Sequence, residues 1–255
     1  ALNRVTVWAK TWQLTINSTK CNVLRIVNPR CKNKSDIVYD LNGSSLKVLS
    51  VVKDLGVAVD KNLRFDNHIS SVVHKSLQRA NLILKCFQSR DRSLLMKAFK
   101  VYVRPLLEYA TPVWSPHFMY LILKIEHVQR SFTKRLFGLK NLTYIDRLKQ
   151  LEIDTLEHRR LIYDLCTCFK IIHGYNDTCL DMNRMHLEGR PNNTRGQNLK
   201  LAKEMCRTDM LRFFFCNRIC TVWNSLPLDV VNAPSVNSFK KRVSKFNLDR
   251  FLTLK

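Results

Sequence analysis

Two spacings of apolar residues divide this chain near residue 63. Before that point apolar positions alternate or gather in short β-branched runs; after it they recur at the helical period of 3.6. Val5, Val7, Trp8, Trp12, Leu14 and Ile16 are spaced as a short helix entering a strand. Cys21 to Val27, C-N-V-L-R-I-V, is β-branched and apolar and predicts a strand. Residues 36–50 hold two short strand patterns around Asn42-Gly43, a pair that tolerates positive φ and marks a hairpin. A further strand is predicted over Val51 to Val59 with Gly56 inside it, where glycine permits close backbone approach. Residues 1–65 therefore read as a small antiparallel β unit with one leading helix.

Beyond Leu63 the pattern is helical. Asp66 stands where it can cap a helix whose stripe is Ile69, Val72, Val73, Leu77, Ala80, Ile83, Leu84 and Phe87. A second helix is predicted from near Ser93 toward Ala110, kinked or broken by Pro105, and a third from Tyr120 to about Phe137. A fourth, long helix is predicted from Tyr144 to Ile172. Residues 183–200 are rich in Asn and Gly and predict an exposed loop. Met210 to Trp223 is apolar and closes at Trp223-Asn224-Ser225-Leu226-Pro227; a basic helix follows over Ser235 to Phe246. Amphipathic helices joined by short polar turns make a bundle, so the fold class is α+β: a β unit followed by a mainly helical region.

Composition adds a partner. The 255 residues are 45% hydrophobic, enough for a real core, yet 43 Lys and Arg stand against 20 Asp and Glu. The formal charge of +23 calls for an anionic surface nearby, nucleic acid first and a membrane face second. No apolar run approaches the ~18 residues a membrane span requires. The nine Cys lack framework spacing and read as reduced thiols of an intracellular protein, nuclear or cytoplasmic. Cys166-x-Cys168, with His173 and Cys179 nearby, matches no standard zinc spacing and falls in an apolar helical stretch, so these read as core thiols; Cys216 and Cys220 read the same way.

Several cations recur at helical spacing. Lys75 and Arg79 share a helix side, as do Arg130, Lys134 and Arg135, and Arg104 lies between. Each fits a phosphate contact or a solvated surface charge. Tyr102, Tyr109 and Trp114 could stack on bases, but their spacing with Leu106 favours a core.

Longer motifs carry a family resemblance. The run K-A-F-K-V-Y-V-R-P-L-L-E-Y-A-T-P-V-W-S-P (Lys97 to Pro116) and the run I-E-H-V-Q-R-S-F-T-K-R-L (Ile125 to Leu136) resemble the region after the catalytic palm of non-LTR (LINE-type) retrotransposon reverse transcriptases. So do W-x-x-x-W-Q-L-T-I-N-x-x-K-C-x-V-L (Trp8 to Leu24), K-D-L-G-V-A-V-D (Lys53 to Asp60), R-R-L-I-Y-D-L (Arg159 to Leu165), F-K-I-I-H-G (Phe169 to Gly174), T-R-G (Thr194 to Gly196) and W-N-S-L-P, with Phe215-x-x-Arg218 upstream.

The resemblance implies a palm remnant with a primer-grip-like hairpin over 1–65, a helical thumb over 66–140 and a helical tail over 141–255. It places Lys20 where the family has a lysine linked to protonating pyrophosphate, though a lysine there also serves as a plain turn residue. It places Leu55, Gly56 and Val57 at the primer grip, where a strand with a bulge is the rival reading. It assigns Lys75, Arg79, Arg104, Arg130, Lys134 and Arg135 to a template-primer duplex of RNA and DNA. The family's Mg²⁺-binding carboxylates come from an upstream strand and an adjacent acidic pair, and no two acidic residues are adjacent here. The resemblance thus implies the C-terminal part of a larger polymerase. Its other palm, fingers and endonuclease regions would be partners, and Mg²⁺ would belong to the full-length enzyme. This chain alone would bind no metal, polymerise nothing and touch no membrane. A free-standing basic RNA- or DNA-binding helical protein, or a decayed reading frame, are the alternatives.

Overall fold

The computed structural model describes residues 2–26, 37–175 and 199–254, which form two compact units, Ala1–His68 and Ile69–Lys255. The first unit opens with α1 (Leu2–Thr11). The strand expected through Leu14 and Ile16 does not form. Gln13 takes a φ of 54°, which turns the chain, and Asn17 then caps a 3-10 turn over Ser18–Lys20 by accepting the Thr19 amide at 3.0 Å. Local side-chain capping has outcompeted the strand.

Three two-stranded ribbons follow. β1 (Asn22–Leu24) pairs with β4 (Lys47–Leu49) in parallel, Val23 opposite Val48. β2 (Asp40–Leu41) and β3 (Ser44–Ser45) form the hairpin expected at Asn42-Gly43, whose φ values are 54° and 78°. The single strand expected over Val51 to Val59 is itself a hairpin: β5 (Val51–Asp54) pairs antiparallel with β6 (Val57–Asp60), and Leu55-Gly56 is the two-residue turn. Gly56 is in the turn rather than inside a strand: Leu55 and Gly56 both take positive φ, 43° and 88°, as a type I′ two-residue loop requires. Among the described residues this unit buries only three hydrophobic side chains, Ala9, Leu41 and Val57. Trp8 and Trp12 stand 55% and 66% exposed, so the unit's largest apolar groups contribute little to its core.

The second unit is helical. The first helix, α2 (Asp66–Cys86), begins in the first unit, carries Asp66 in its first turn and buries Ile69, Val73, Ala80 and Ile83. α3 (Arg92–Tyr102) is capped by Asp91, which accepts the Leu94 amide at 2.9 Å. The expected break occurs at Val103, and Pro105 lies in the first turn of α4 (Arg104–Glu108), where its missing N–H costs nothing. A second proline turn, α5 (Thr111–Trp114), brings Trp114 fully inside. α6 (Met119–Lys134) turns Ile125, Val128 and Phe132 inward, and Phe132 packs on Phe99 at 4.7 Å.

The long helix expected over Tyr144 to Ile172 is two. α7 (Tyr144–Leu151) ends at Glu152 in the left-handed conformation, and α8 (Leu156–Ile172) restarts at Thr155, whose hydroxyl accepts the His158 amide at 3.1 Å. A capping threonine offers the backbone a new helix start that hydrophobic period does not register.

The tail packs on α8. The apolar stretch near Met210 to Trp223 is α9 (Asp209–Arg212) and α10 (Phe215–Trp223), followed by α11 (Leu228–Val231) and the basic α12 (Val236–Val243). Phe169, Trp223 and Phe239 are wholly buried, with Phe169 and Phe239 rings 4.5 Å apart. Cys168, Cys216 and Cys220 are core side chains of this cluster. Burial pushes the Cys168 thiol well above its ordinary value. The loop expected at 183–200 lies, apart from residues 199 and 200, outside the described residues, as do Val27 and Cys179.

The W-N-S-L-P motif acts as a clamp. The Trp223 indole donates to the Leu199 carbonyl at 2.8 Å, and Asn224 both accepts from and donates to the Leu201 backbone at 2.8 Å. Arg218 grips Asp164 through two nitrogens, at 2.9 and 3.0 Å, and donates to the Pro112 carbonyl at 2.8 Å.

Glu126 ties α6 to the start of α8. Its buried carboxyl accepts the Leu156 amide at 3.0 Å and the Tyr144 hydroxyl. Loss of hydration raises its pKa, while the Tyr144 hydroxyl, the Leu156 amide and the Arg160 charge oppose that rise. A raised native pKa means that the native state holds the proton more firmly than the unfolded chain. Its stabilising share is full at low pH and is lost as pH rises through the native value. The stability of the parent relative to Glu126→Gln should therefore fall as pH rises from about 4 toward 7, checked by urea melts at each pH. A difference independent of pH would refute this.

Candidate nucleic-acid interface

Four carboxyl groups of the helical unit are taken up by bonds between its elements. Glu108 takes Arg159, the Tyr163 hydroxyl at 2.9 Å and Arg104 at 3.5 Å. Asp164 is taken by Arg218, Glu126 by Tyr144 and Leu156, and Glu157 by the Thr253 and Leu254 amides at 2.9 and 2.8 Å. These carboxyl groups join elements together. The exposed cations outnumber the acids left to screen them, so the outward field is positive.

The residues nominated from sequence occupy distinct settings. Lys75 and Arg79 are exposed one turn apart on α2 and, with Gln78, Leu82 and Leu106, line an open groove of about 480 Å³. Arg104 is different: its side chain is only 23% exposed and already faces Glu108, beside Arg159. It belongs to an internal ion cluster.

Arg130, Lys134 and Arg135 are all exposed but do not share neighbours. The Arg130 guanidinium lies 4.8 Å from the Tyr144 ring centre, toward α7. Arg135 reaches the other way and donates to the Asn81 side chain on α2 at 2.8 Å. Lys124 likewise donates to Ser70 at 2.7 Å. Both bonds span 54 residues, so α2 and α6 run side by side in the same direction. The result is a ridge with Lys124 and Arg135 as rungs, and Lys124 was not among the nominated cations. The sequence signal for it is the eleven-residue step from Lys124 to Arg135, three helical turns on one face.

In the first unit, Lys20 is exposed at the end of its 3-10 turn, and the capping oxygen there is that of Asn17. Leu55 and Gly56 form the tip of the β5–β6 hairpin and Val57 is buried beneath it. Leu55 is 85% exposed with a φ of 43°. A leucine in the left-handed region is strained by roughly 1–2 kcal/mol. The hairpin thus holds an apolar tip outward at a cost in backbone energy.

Tyr102 and Tyr109 depart from the core placement expected of them: they are 53% and 57% exposed. Only Trp114 of the three is internal, its indole donating to the Tyr109 carbonyl at 2.7 Å. The break at Val103 and the turn at Tyr109 shift these rings off the inward stripe that an unbroken helix would have given them.

No helix among the described residues is long and apolar enough to cross a membrane.

Comparison with known proteins gives two partial similarities. The chain is 32% identical over 126 residues to "Uncharacterized protein B0403.1" of Caenorhabditis elegans, which covers 48% of this chain and 64% of that protein. It is 29% identical over 136 residues to "RNA-directed DNA polymerase from mobile element jockey" of Drosophila funebris, covering 51% of this chain and 14% of the fly protein. The chain therefore spans under two thirds of the nematode protein and a small part of the fly polymerase. No family model and no solved structure matches. A distant, partial likeness to a retrotransposon polymerase is thus a property of about half the chain.

The strain at Leu55 generates a test. Leu55→Asn supplies a residue that tolerates positive φ and should stabilise the protein by several tenths to about 1 kcal/mol, read as a raised urea midpoint. An unchanged or lower midpoint would show that the turn carries no removable strain.

Proposed function

We propose that this chain is the C-terminal part of a retrotransposon RNA-directed DNA polymerase of the non-LTR type, with a palm edge over 1–65, a thumb over 66–140 and a tail over 141–255. In this reading it holds template-primer nucleic acid through phosphate contacts and works inside the cell, with the remaining palm, the fingers and the endonuclease as parts of the same polyprotein. The observation that carries the reading is the set of exposed cations on α2 and α6. Glu108, Glu126, Glu157 and Asp164 are spent on internal bonds, while Lys75, Arg79, Lys124, Arg130, Lys134 and Arg135 stand outside on two helices, α2 and α6. A positive helical surface of this kind suits a polyphosphate backbone read without sequence preference. The partial likeness to the fly polymerase supports the same assignment.

Two features of the first unit fit. Leu55 and Gly56 make a two-residue hairpin tip above buried Val57, the shape a primer grip needs. The exposed Trp8 and Trp12 face has the character of a surface covered by the rest of a palm. The chemistry of polymerisation would come from carboxylates holding Mg²⁺ in that remainder. Lys20 and Leu55 to Val57 would serve it from outside, by position alone.

One observation favours a second reading, a free-standing basic RNA- or DNA-binding protein: Ile69–Lys255 closes a core of its own. Both readings require nucleic-acid binding; they separate when the chain is joined to an upstream segment carrying the acidic pair, which should polymerise only under the first.

The shared requirement is tested by titration of the whole chain. The logarithm of affinity for duplex should fall linearly with the logarithm of salt, by about 0.9 for each phosphate contacted, and with little dependence on sequence. The double change Lys134→Ala and Arg135→Ala should lower that slope by roughly two units in total. Arg130 is left in place because it covers Tyr144 beside the Glu126 cluster. The isolated chain, given primed template, Mg²⁺ and nucleotides, should extend nothing. A flat salt response would remove phosphate-dominated binding, and extension by the pure chain would remove the assignment of chemistry to another segment.

A further inference from the structure

A guanidinium with nothing to bind lies in the wall of a cavity between α8 and α10. Arg160 is only 3% exposed, and the cavity it lines measures about 210 Å³. Its Nη1 is enclosed without a hydrogen-bond partner, and among the described residues the side chain forms no ion pair. Glu126, Glu157, Asp164 and Glu108 act on it through space. The two of these that line the cavity are held by other donors: Asp164 gives both oxygens to Arg218, and Glu157 gives both to the Thr253 and Leu254 amides. A buried donor left unbonded is costly, most of all on a charged group.

What Arg160 lacks is an acceptor rather than a counter-charge. Two guanidinium groups, Arg160 and Arg218, and two carboxylates, Glu157 and Asp164, line the cavity, so its charges balance. A phosphate would add negative charge beside both carboxylates; an uncharged ligand adds none. Each carboxylate offers about four acceptor positions and so can still take a donor from a ligand. Much of the remaining wall is apolar or aromatic, with Ile122, Val222, Phe213 and Phe251. The volume equals roughly seven waters at ~30 Å³ each, which suits one small flat ring system and no folded segment. We propose that this cavity is a pocket for a single unpaired guanine, whose O6 and N7 accept from Arg160 and whose N–H groups donate to Asp164 or Glu157. Guanine carries this pairing of acceptors and donors, and a guanidinium fork matches its O6 and N7. The choice of a base as ligand rests on the nucleic-acid reading above and adds base recognition to it.

The whole chain, with its isoleucine, leucine and valine methyl groups labelled, is titrated with guanosine, adenosine, cytidine and uridine and followed by NMR. Guanosine should bind most tightly, and its base protons should show Overhauser contacts to the Ile122 and Val222 methyls. Arg160→Met should weaken guanosine binding by at least roughly fivefold, the lower end of what a guanidinium fork contributes at a base edge. Arg160→Lys keeps the charge without the fork and should lose as much. Inorganic phosphate should not displace guanosine. Leu161→Trp, which fills the cavity from its half-buried rim, should abolish the contacts with the Arg160 side chain intact; it and the contacts in the parent decide the matter if melts show Arg160→Met unfolded. A single strand with one central guanosine, compared with the same strand abasic there, identifies the source. A fivefold or greater loss shows that the pocket takes a base from nucleic acid, and equal binding that it takes the free nucleoside. The proposal is overturned if no nucleoside touches these methyls, since water alone then fills the cavity. It is also overturned if another nucleoside binds more tightly, if phosphate displaces guanosine, or if folded Arg160→Met binds like the parent. The nucleic-acid reading fails by a separate result, the absence of duplex binding at any salt concentration, which the guanosine titration does not touch.

Discussion

The helical unit depends on satisfying charge along α8, the helix at its centre. Four carboxyl groups meet it at successive levels. Glu126 receives its first amide at Leu156, Glu108 holds Arg159, Asp164 on the helix itself holds Arg218 of α10, and Glu157 receives the Thr253 and Leu254 amides. Arg160, buried between them, feels the field of the nearby acids, and burial still lowers its pKa. Buried ions of this kind do not add much stability compared with apolar replacements, but removing one partner leaves the other stranded at a cost of about 3–5 kcal/mol. Their effect is to specify register: α4, α6, α10 and the end of the chain can each meet α8 in only one place.

That constraint explains what the tail motifs do in the fold. R-R-L-I-Y-D-L supplies Arg159, Arg160, Tyr163 and Asp164; F-K-I-I-H-G supplies buried Phe169 and His173, which meets the Val231 carbonyl at 3.0 Å. F-x-x-R supplies Arg218, and W-N-S-L-P supplies the Trp223 indole and the Asn224 amide that hold residues 199–201. The side chains of these residues bridge distant elements and serve packing and charge pairing.

The same inward use of acids shapes the outside. With four carboxyl groups committed internally, exposed cations outnumber exposed acids among the described residues, and Arg135 and Lys124 lie across from α6 to α2. A strongly positive surface repels itself, and a bound polyanion relieves that repulsion.

Much of this was legible in the chain. The change of period near residue 63, the hairpin at Asn42-Gly43, the break at Pro105 and the inward stripe of α6 follow from local chemistry, because turns, caps and helix faces involve residues a few positions apart. Thr155 could have revealed the break between α7 and α8, since a capping hydroxyl is a local signal too, but the unbroken hydrophobic period concealed it. Other features were settled only in three dimensions. Arg130 and Arg135 are five residues apart yet face different helices, and Arg104 pairs with Glu108 in an ion cluster that Arg159, far along the chain, completes. Tyr102 and Tyr109 have the spacing of core residues and stand in water. Periodicity states which residues share a side of a helix; which side the core takes, and which charges find partners, depends on neighbours that only the folded chain brings near.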